Sequence, residues 1–489
     1  MRLNPLLQSA GVSAILADPE ISSLCYDSRL AGAGSLFFAL PGAKTNGAEF
    51  AQQAAVKGAA AVVAESRIGD CGCPVVEVPD ARAAMADIAA SFYGHPDRSL
   101  KCAGVTGTNG KTTTAFLMKH LLDSASLRSG LIGTVKYVVG SEEVSAPRTT
   151  PESVDLQELM SHMRDSGSKA VAMEVSSHAL VQKRARGIEF DAAVFTNLTQ
   201  DHLDYHRTME AYFEAKALLF ESLAAQTYKK GRAIINADDR HGHLLIERFG
   251  KAVKTATFGR GVAADFRASA IRFDGTGSVF QLDAKRKSFL VRMPLIGLFN
   301  IYNALAALAA AASCGVELRG AIAALASAPQ VPGRVERVPG KRNFQVFVDY
   351  AHTDDALKNV LRTLRELKPA RLITVFGCGG DRDRAKRPLM AAAAEELSDW
   401  TVITSDNPRR EDPDAIIADV EAGMRGTNFE KITDREHAIR HAIDLAAPGD
   451  IVLIAGKGHE TYQEFADRRI AFDDVAVAGM AMANKKAEA

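Results

Sequence analysis

A chain of 489 residues that is 47% hydrophobic exceeds what one core usually supports, so about two to four domains are expected. The 59 Lys plus Arg residues balance 59 Asp plus Glu, and a formal charge of zero excludes a sequence-wide basic field for nucleic acid or an anionic membrane. Six scattered cysteines make no disulfide framework, Cys71-Gly72-Cys73 lacks the second pair of a zinc site, and no apolar run approaches a bilayer span, so a reduced, cytoplasmic protein without membrane insertion is expected.

The short apolar piece from Val12 to Ala17 is already followed by Asp18 and Glu20, which is not the pattern of a signal peptide. Apolar-polar alternation at Ser35–Leu40, a second block at Ala61–Ala64 and an alanine-rich helical piece between them predict a small α/β domain over residues 1–98. Its polar loops, Tyr26-Asp27-Ser28-Arg29 and Pro41-Gly42-Ala43-Lys44-Thr45-Asn46-Gly47, are each either a surface turn or a site. Tyr93-Gly94-His95-Pro96-Asp97 reads as a linker.

Beyond it, Cys102-Ala103-Gly104-Val105 is apolar, glycines stand at 107 and 110, and Lys111-Thr112 opens a segment with Phe116, Leu117 and Leu121 at helical spacing. A strand, a loop and a helix in that order suit a phosphate. Glycines let backbone N–H groups curl round it, the helix N-terminus adds its dipole, Lys111 reaches the β- and γ-phosphates and the Thr112 hydroxyl can hold Mg2+. The strict spacing wants a glycine at position 105, where Val105 stands, so Gly107-Thr108-Asn109-Gly110-Lys111-Thr112-Thr113 is a shorter variant.

From 99 to 330, apolar runs at 170–175, 192–196 and 233–235 alternate with helical stretches. They predict a mostly parallel sheet with helices on both faces and ligands at the carboxyl ends of the strands. Glu174 stands where a second Mg2+ ligand is needed beside Thr112, unless backbone N–H groups satisfy it. His202, in the polar stretch after the next run, is either a metal or phosphate ligand or a solvated loop residue. Lys216 falls on the apolar stripe of Met209, Phe213, Phe220 and Leu223. Burial there lowers its pKa and leaves a neutral amine able to add carbon dioxide, unless the stem snorkels to water.

A long alanine-rich helix opens at Gly297-Leu298-Phe299-Asn300-Ile301-Tyr302-Asn303, and a third domain begins near Gln330-Val331-Pro332-Gly333-Arg334. In it four strand-like runs end in polar motifs: Asp349-Tyr350-Ala351-His352, Gly377–Arg384, Ser405-Asp406-Asn407-Pro408-Arg409 and Gly456-Lys457-Gly458-His459-Glu460. Four such endings on one sheet edge predict a second ligand crevice, and the basic run from Arg382 to Arg387 beside a glycine-rich turn favours an anion there.

With these motifs in order along nearly its full length, the chain resembles the Mur ligases, and among them the members that add the third residue of the peptidoglycan stem peptide. The resemblance implies an α/β fold of three domains: a small N-terminal domain for the uridine nucleotide (1–98), a central P-loop ATPase (99–330) and a C-terminal Rossmann-like domain (331–489). It also implies a monomeric ligase in which ATP phosphorylates the D-Glu γ-carboxylate of UDP-MurNAc-L-Ala-D-Glu and an amine attacks the acyl phosphate. By position, Ser28, Ala43, Lys44 and Thr45 resemble the uracil and diphosphate contacts, and Thr149, Thr150, Ser176, Gln182 and Arg184 those of the muramoyl-dipeptide. Thr112, Glu174 and His202 match the family's magnesium environment, Lys216 its carbamylated lysine, and Asn300, Arg334, Asp349 and His352 its further ATP contacts.

Arg382, the Asp406-Asn407-Pro408-Arg409 motif, Gly456 and Glu460 resemble the residues that select the incoming amino acid. The Arg409 guanidinium suits the distal carboxylate of meso-diaminopimelate and Glu460 its ammonium, and lysine-adding relatives lack that arginine. Arg148 stands where some members have asparagine, and Asp354 where proline is usual. Two other readings have their own signatures. A folylpolyglutamate synthetase-like ligase would lack the uridine domain and the diaminopimelate motif, and a nucleotide-driven switch would release phosphate as fast without any amino acid.

Overall fold

The computed structural model describes residues 1–42 and 45–485. The first sheet has four parallel strands, β1 (Ser23–Cys25), β2 (Ser35–Ala39), β3 (Ala61–Ala64) and β4 (Val75–Glu77), paired in chain order. The alternation expected over Ser35–Leu40 is not realised, because every residue of β2 is buried. One apolar cluster takes Leu36 and Phe38 with Leu3, Leu6 and Ile88, and another takes Phe37 and Ala39 with Ala51 and Ala54. With both faces covered, neither side of the strand is left for polar side chains. The expected linker is likewise packed. Asp97 is buried and accepts from the Glu189 N–H at 3.1 Å, while Arg164 donates to the Tyr93 carbonyl at 3.0 Å.

The second sheet comprises β5 (Lys101–Thr106), β6 (Ser129–Ile132), β7 (Lys136–Val139), β8 (Glu142–Ser145), β9 (Ala170–Glu174), β10 (Ala192–Phe195), β11 (Arg232–Asn236) and β12 (Lys254–Gly259). Its parallel part runs β12-β11-β10-β5-β9-β6, and β7 and β8 add an antiparallel edge. β5 therefore lies between β9 and β10, which brings the phosphate loop, Glu174 and the 196–206 segment to neighbouring strand ends. β13 (Phe266–Asp274), β14 (Gly277–Ala284) and β15 (Lys287–Met293) continue the order beyond β12.

The third sheet holds β16 (Glu336–Arg337), β17 (Gln345–Asp349), β18 (Leu372–Phe376), β19 (Trp400–Ile403), β20 (Phe429–Lys431) and β21 (Ile451–Ala455), in the order β16-β17-β21-β18-β19-β20. From β17 to β20 the pairing is parallel, so the four polar endings share one edge. β21, the last of them in the chain, fills the gap between β17 and β18, and such a reversal of strand order opens a crevice at the carboxyl ends. A short hairpin, β22 (Tyr462–Glu464) with β23 (Arg469–Ala471), follows. The chain forms two compact units: Met1–Ser269 with Gln281–Phe289 and Tyr302–Leu325, and Ala270–Phe280 with Leu290–Ile301 and the chain from Ala326 onward. Among the described residues no helix is long and apolar enough to cross a membrane.

Candidate active site

Val105 lies inside β5 and is fully buried, so the strand runs past the point where the strict motif would place its first glycine, and the loop begins at Gly107. Gly107 has φ 149° and Gly110 φ 87°, conformations open to glycine. A Cβ on Gly107 would overlap Thr196 Oγ1, and one on Gly110 would overlap Asn303 Oδ1. Thr196 and Asn197 hold the loop from outside: Thr196 Oγ1 donates to the Asn109 carbonyl at 2.7 Å, and Asn197 accepts from the Asn109 N–H at 2.9 Å and the Thr108 N–H at 2.9 Å. The helix Lys111–Ser124 has no side-chain cap and no acid in its first turn, whereas Thr208, Thr353 and Asp434 cap other helices. An uncapped positive helix end beside a glycine loop is an anion site. Lys111 Nζ bonds back to the Gly107 and Thr108 carbonyls at 3.0 and 2.8 Å, and Thr113 is buried.

Glu174, fully buried at the end of β9, is the hub of this edge. Its Oε2 accepts from Thr112 Oγ1 at 3.2 Å and Thr134 Oγ1 at 3.1 Å, and its Oε1 accepts from the Thr134 N–H at 2.8 Å. Thr134 Oγ1 is 3.0 Å from Thr149 Oγ1, and Thr150 Oγ1 donates to the Glu174 carbonyl at 2.9 Å and accepts from the Ser176 N–H at 3.2 Å. Arg184 closes the group, donating to the Thr150 carbonyl at 2.9 Å and Gln182 Oε1 at 2.6 Å. The five residues expected around a muramoyl-dipeptide are thus linked to Glu174, Thr149 through Thr134 and the other four through Thr150, which bonds the Glu174 main-chain carbonyl. Arg148 pairs with Glu152 at 3.0 Å, on a carboxylate shared with Arg82 and Arg184. Its guanidinium is engaged there. Asp354 begins the helix Asp354–Glu366 behind the Thr353 cap, where an acid suits the dipole as proline would suit the geometry.

Lys216 is 1% exposed and does not snorkel. Its Nζ donates to the Gly107 carbonyl at 2.8 Å and sits 4.2 Å over the Tyr212 ring. Burial, and then the neighbouring Lys111 charge, push its pKa well below the usual lysine range. His202 lies 6.0 Å from the Tyr212 ring, packs on His178 at 5.0 Å and lies 3.5 Å from Asp201, so it shares Tyr212 with Lys216. Burial lowers the pKa of His202, and burial brings His178 down to about 4. Among the described residues no group of three or more His, Cys, Asp or Glu side chains is arranged to hold a metal. Thr112 and Glu174 nevertheless offer two hard oxygens side by side. That fits Mg2+, which takes one or two protein oxygens and completes its shell with water and phosphate.

In the first sheet Ser28 is buried and donates to Gln53 Oε1 at 2.7 Å, and Thr45 is exposed. Ala43 and Lys44 lie outside the described residues.

The second unit carries the other motifs. Asp349 accepts from the Val335 and Ala351 N–H groups at 2.7 Å each, and Arg334 stacks 4.9 Å over Tyr350, whose ring is 4.7 Å from His352. Asn300 is buried and donates to the Ile296 carbonyl at 2.9 Å. Arg409 stands at φ 51°, with Nε 3.2 Å from Glu464 Oε2 and Nη1 donating to the Gly380 carbonyl at 2.8 Å. Arg382 is exposed, and a Cβ on Gly379 would lie 3.0 Å from Arg409 Nη1 and 3.7 Å from Arg382 Cγ, so both arginines border that glycine. Asn407 Nδ2 donates to Glu460 Oε2 at 2.7 Å, the Pro408 carbonyl crowds Gly380, and Gly456 at φ 114° turns past Asp406. The basic run is partly spent inside the fold, since Arg387 is fully buried between Glu411 and Asp419. Sequence reasoning passed over Thr134, Asn197, Asn303 and Glu464 as partners. Asn197 and Thr134, each two residues past the end of a strand, carried a positional signal.

Three family models match this chain: Mur ligase family, catalytic domain over residues 20–93, Mur ligase middle domain over 105–311, and Mur ligase, glutamate ligase domain over 333–458. The UDP-N-acetylmuramoyl-L-alanyl-D-glutamate--2,6-diaminopimelate ligase of Solibacter usitatus (strain Ellin6076) is 47% identical over 466 residues, covering 95% of this chain and 94% of that one. A solved structure of a ligase so named is similar with a TM-score of 0.73 at 36% identity, covering 99% of both chains. A folylpolyglutamate synthase of Mycobacterium tuberculosis, complexed with ADP and AMPPCP, shares the fold alone, with a TM-score of 0.63 at 19% identity over 80% of this chain and 92% of that one.

Proposed function

The chain belongs to the Mur ligase family, and we propose that it joins meso-2,6-diaminopimelate to the D-Glu γ-carboxylate of UDP-MurNAc-L-Ala-D-Glu at the expense of ATP. The observation that carries this reading is Glu174, whose buried carboxylate accepts from Thr112 of the phosphate loop and from Thr134, which reaches Thr149, while its main-chain carbonyl accepts from Thr150. A triphosphate and a carboxylate substrate are thereby addressed to one place.

In this reading Lys111 and the helix end hold the β- and γ-phosphates, and the γ-phosphoryl group passes to the D-Glu carboxylate oxygen. Thr149, Thr150, Ser176, Gln182 and Arg184 fix the dipeptide so that this oxygen faces the phosphate. The amine of diaminopimelate then attacks the acyl carbon, the nitrogen gives up a proton, and phosphate leaves. Mg2+, held by Thr112 and Glu174 with His202 nearby, would supply charge neutralisation between the polyanions. Lys216, buried and with its pKa pushed down by burial and the Lys111 charge, is suited to add carbon dioxide and present a carbamate oxygen in the same region. Asn300, Arg334, Asp349 and His352 are assigned to ATP, and Ser28, Ala43, Lys44 and Thr45 to the uridine diphosphate. The three sheets correspond in this reading to uridine-binding, ATP-binding and amino-acid-selecting domains, at 1–98, 99–330 and 331–489. A monomer working in the cytoplasm belongs to the same proposal, in keeping with six free cysteines.

Arg382, Asp406, Asn407, Pro408, Arg409, Gly456 and Glu460 form the amino-acid pocket, with Arg409 for the distal carboxylate and Glu460 for its ammonium. Phosphate release with ATP and UDP-MurNAc-L-Ala-D-Glu tests this directly. Release should require diaminopimelate. Equal release with lysine, or with no amino acid, would overturn it.

A further inference from the structure

Lys457 lies directly after Gly456 at the end of β21, and its side chain is completely buried. Its ammonium donates to Asn407 Oδ1 at 3.0 Å and Glu460 Oε2 at 3.1 Å, stands 3.9 Å from Asp406 Oδ1 and lies 5.4 Å from the centre of the Tyr462 ring. Asn407 returns a bond from Nδ2 to the same Glu460 Oε2 at 2.7 Å, and its Oδ1 also accepts from the Glu464 N–H at 2.9 Å. A buried ammonium is costly unless paired, so this one is kept by the groups it joins. Those groups come from the loops after two different strands, β19 and β21. Apart from the Arg382 and Arg409 guanidiniums that border Gly379, the cluster of Asp406, Glu460 and Lys457 leaves a single negative charge, which matches one incoming ammonium. Both donors on Glu460 fall on Oε2, which reserves Oε1 as the acceptor.

We propose that Lys457 is the positioning residue of the amino-acid pocket, fixing Asn407 and Glu460 and trimming the pocket's charge so that Glu460 receives the distal ammonium of the amino acid. The proposal rests on the assignment of this pocket to diaminopimelate. Lys457 acts through Glu460 and touches no reacting atom. A lysine that merely held the loops together would affect every kinetic constant and would do so independently of Glu460.

A double-mutant cycle on the full enzyme separates the two roles. Lys457→Met should raise KM for diaminopimelate about 10- to 100-fold, the scale of a lost charge-assisted hydrogen bond, with KM for ATP and for UDP-MurNAc-L-Ala-D-Glu unchanged. Glu460→Gln should raise the same KM. Combining the two should add little beyond Glu460→Gln alone, because the carboxylate that Lys457 orients is already gone. Should Lys457→Met fail to fold, Lys457→Gln keeps a donor without the charge and is read the same way. Multiplicative effects in the double variant, an unchanged KM, or an equal loss in all three substrates would overturn the proposal. Wild-type enzyme that used lysine instead would overturn the substrate assignment alone, and the cycle would then be run on lysine.

Discussion

With 1% of its surface exposed and a second lysine nearby, Lys216 holds its proton weakly, and its amine lies against the same Gly107 carbonyl that Lys111 touches. Lys216→Ala should lower kcat about 10^2- to 10^3-fold, the scale found when one preorganised charge is removed from a transition state. Stability should change by no more than about 1 kcal/mol, since an amine buried without a carboxylate partner contributes little to folding. Turnover and urea unfolding measured side by side check this, and added short carboxylates should restore part of the activity. A variant turning over at the wild-type rate would remove Lys216 from the chemistry. Arg409 is tested on another axis. Its guanidinium already holds the Glu464 carboxylate at 3.2 Å, so a ligand carboxylate is expected to compete for it. Arg409→Ala should raise KM for diaminopimelate about 10- to 100-fold with KM for ATP unchanged. Equal changes in both would mean that the loop, and not the recognition, had been damaged. The burial of Lys216 was legible in the sequence because a cation on an apolar stripe is conspicuous, whereas the role proposed for Arg409 came from the family resemblance. The partners of Thr134 and Asn303 were not legible, because a small polar residue reveals its partner only when the chain has folded: Asn303 sits beside Gly110, almost two hundred residues earlier in the chain.

Strand ends carry most of the residues assigned to the site at the next scale, and their order explains which structural expectations held. Apolar runs followed by polar motifs were readable, and the parallel pairing of β17, β21, β18 and β19 sets those motifs along one edge. The alternation expected at Ser35–Leu40 failed because Leu36, Phe37 and Phe38 run on without a break and cover both faces, with only Ser35 as a polar residue. Val105 gave the shorter loop correctly, and the strand register adds the reason, since β5 runs on through Thr106 before Gly107. Asp349, at the end of β17, ties two loops to its strand through the Val335 and Ala351 N–H groups. Burial raises its carboxyl from 3.8 to about 6, with the Arg334 charge offsetting part of the effect. Between those values the folded protein keeps a proton that the unfolded chain has released, so the contribution of this group to stability is present at low pH and is lost as pH rises through about 6. Asp349→Asn carries a fixed cost for the lost acceptor but no titration. The stability difference between wild type and variant should therefore move in favour of the variant by about 2 to 3 kcal/mol from pH 4 to pH 7, followed by urea unfolding. A difference that stayed constant over that range would mean that the carboxyl titrates normally.

At the scale of the molecule the proposed assignments fall on two compact units. The phosphate loop, Glu174, Lys216 and the residues assigned to UDP-MurNAc-L-Ala-D-Glu belong to the first unit, and the residues assigned to the amino acid, with four assigned to ATP (Asn300, Arg334, Asp349 and His352), to the second. Two units with separate cores need not unfold together, so a single transition is not expected. The sequence supplies a reporter, because its one tryptophan, Trp400, lies in β19 of the second unit and donates to Glu430 Oε1 at 2.9 Å. Tryptophan fluorescence therefore follows the second unit, while far-ultraviolet circular dichroism sums both. Diaminopimelate at about 100 times its Kd should stabilise the fluorescence-detected transition by about 2.7 kcal/mol, the mass-action value for a ligand that binds only the folded state. UDP-MurNAc-L-Ala-D-Glu at the same saturation should instead shift the part of the dichroism transition that fluorescence does not see. If each ligand moved both signals equally, the chain would be unfolding as one cooperative body, and the division of binding between the units would have to be given up.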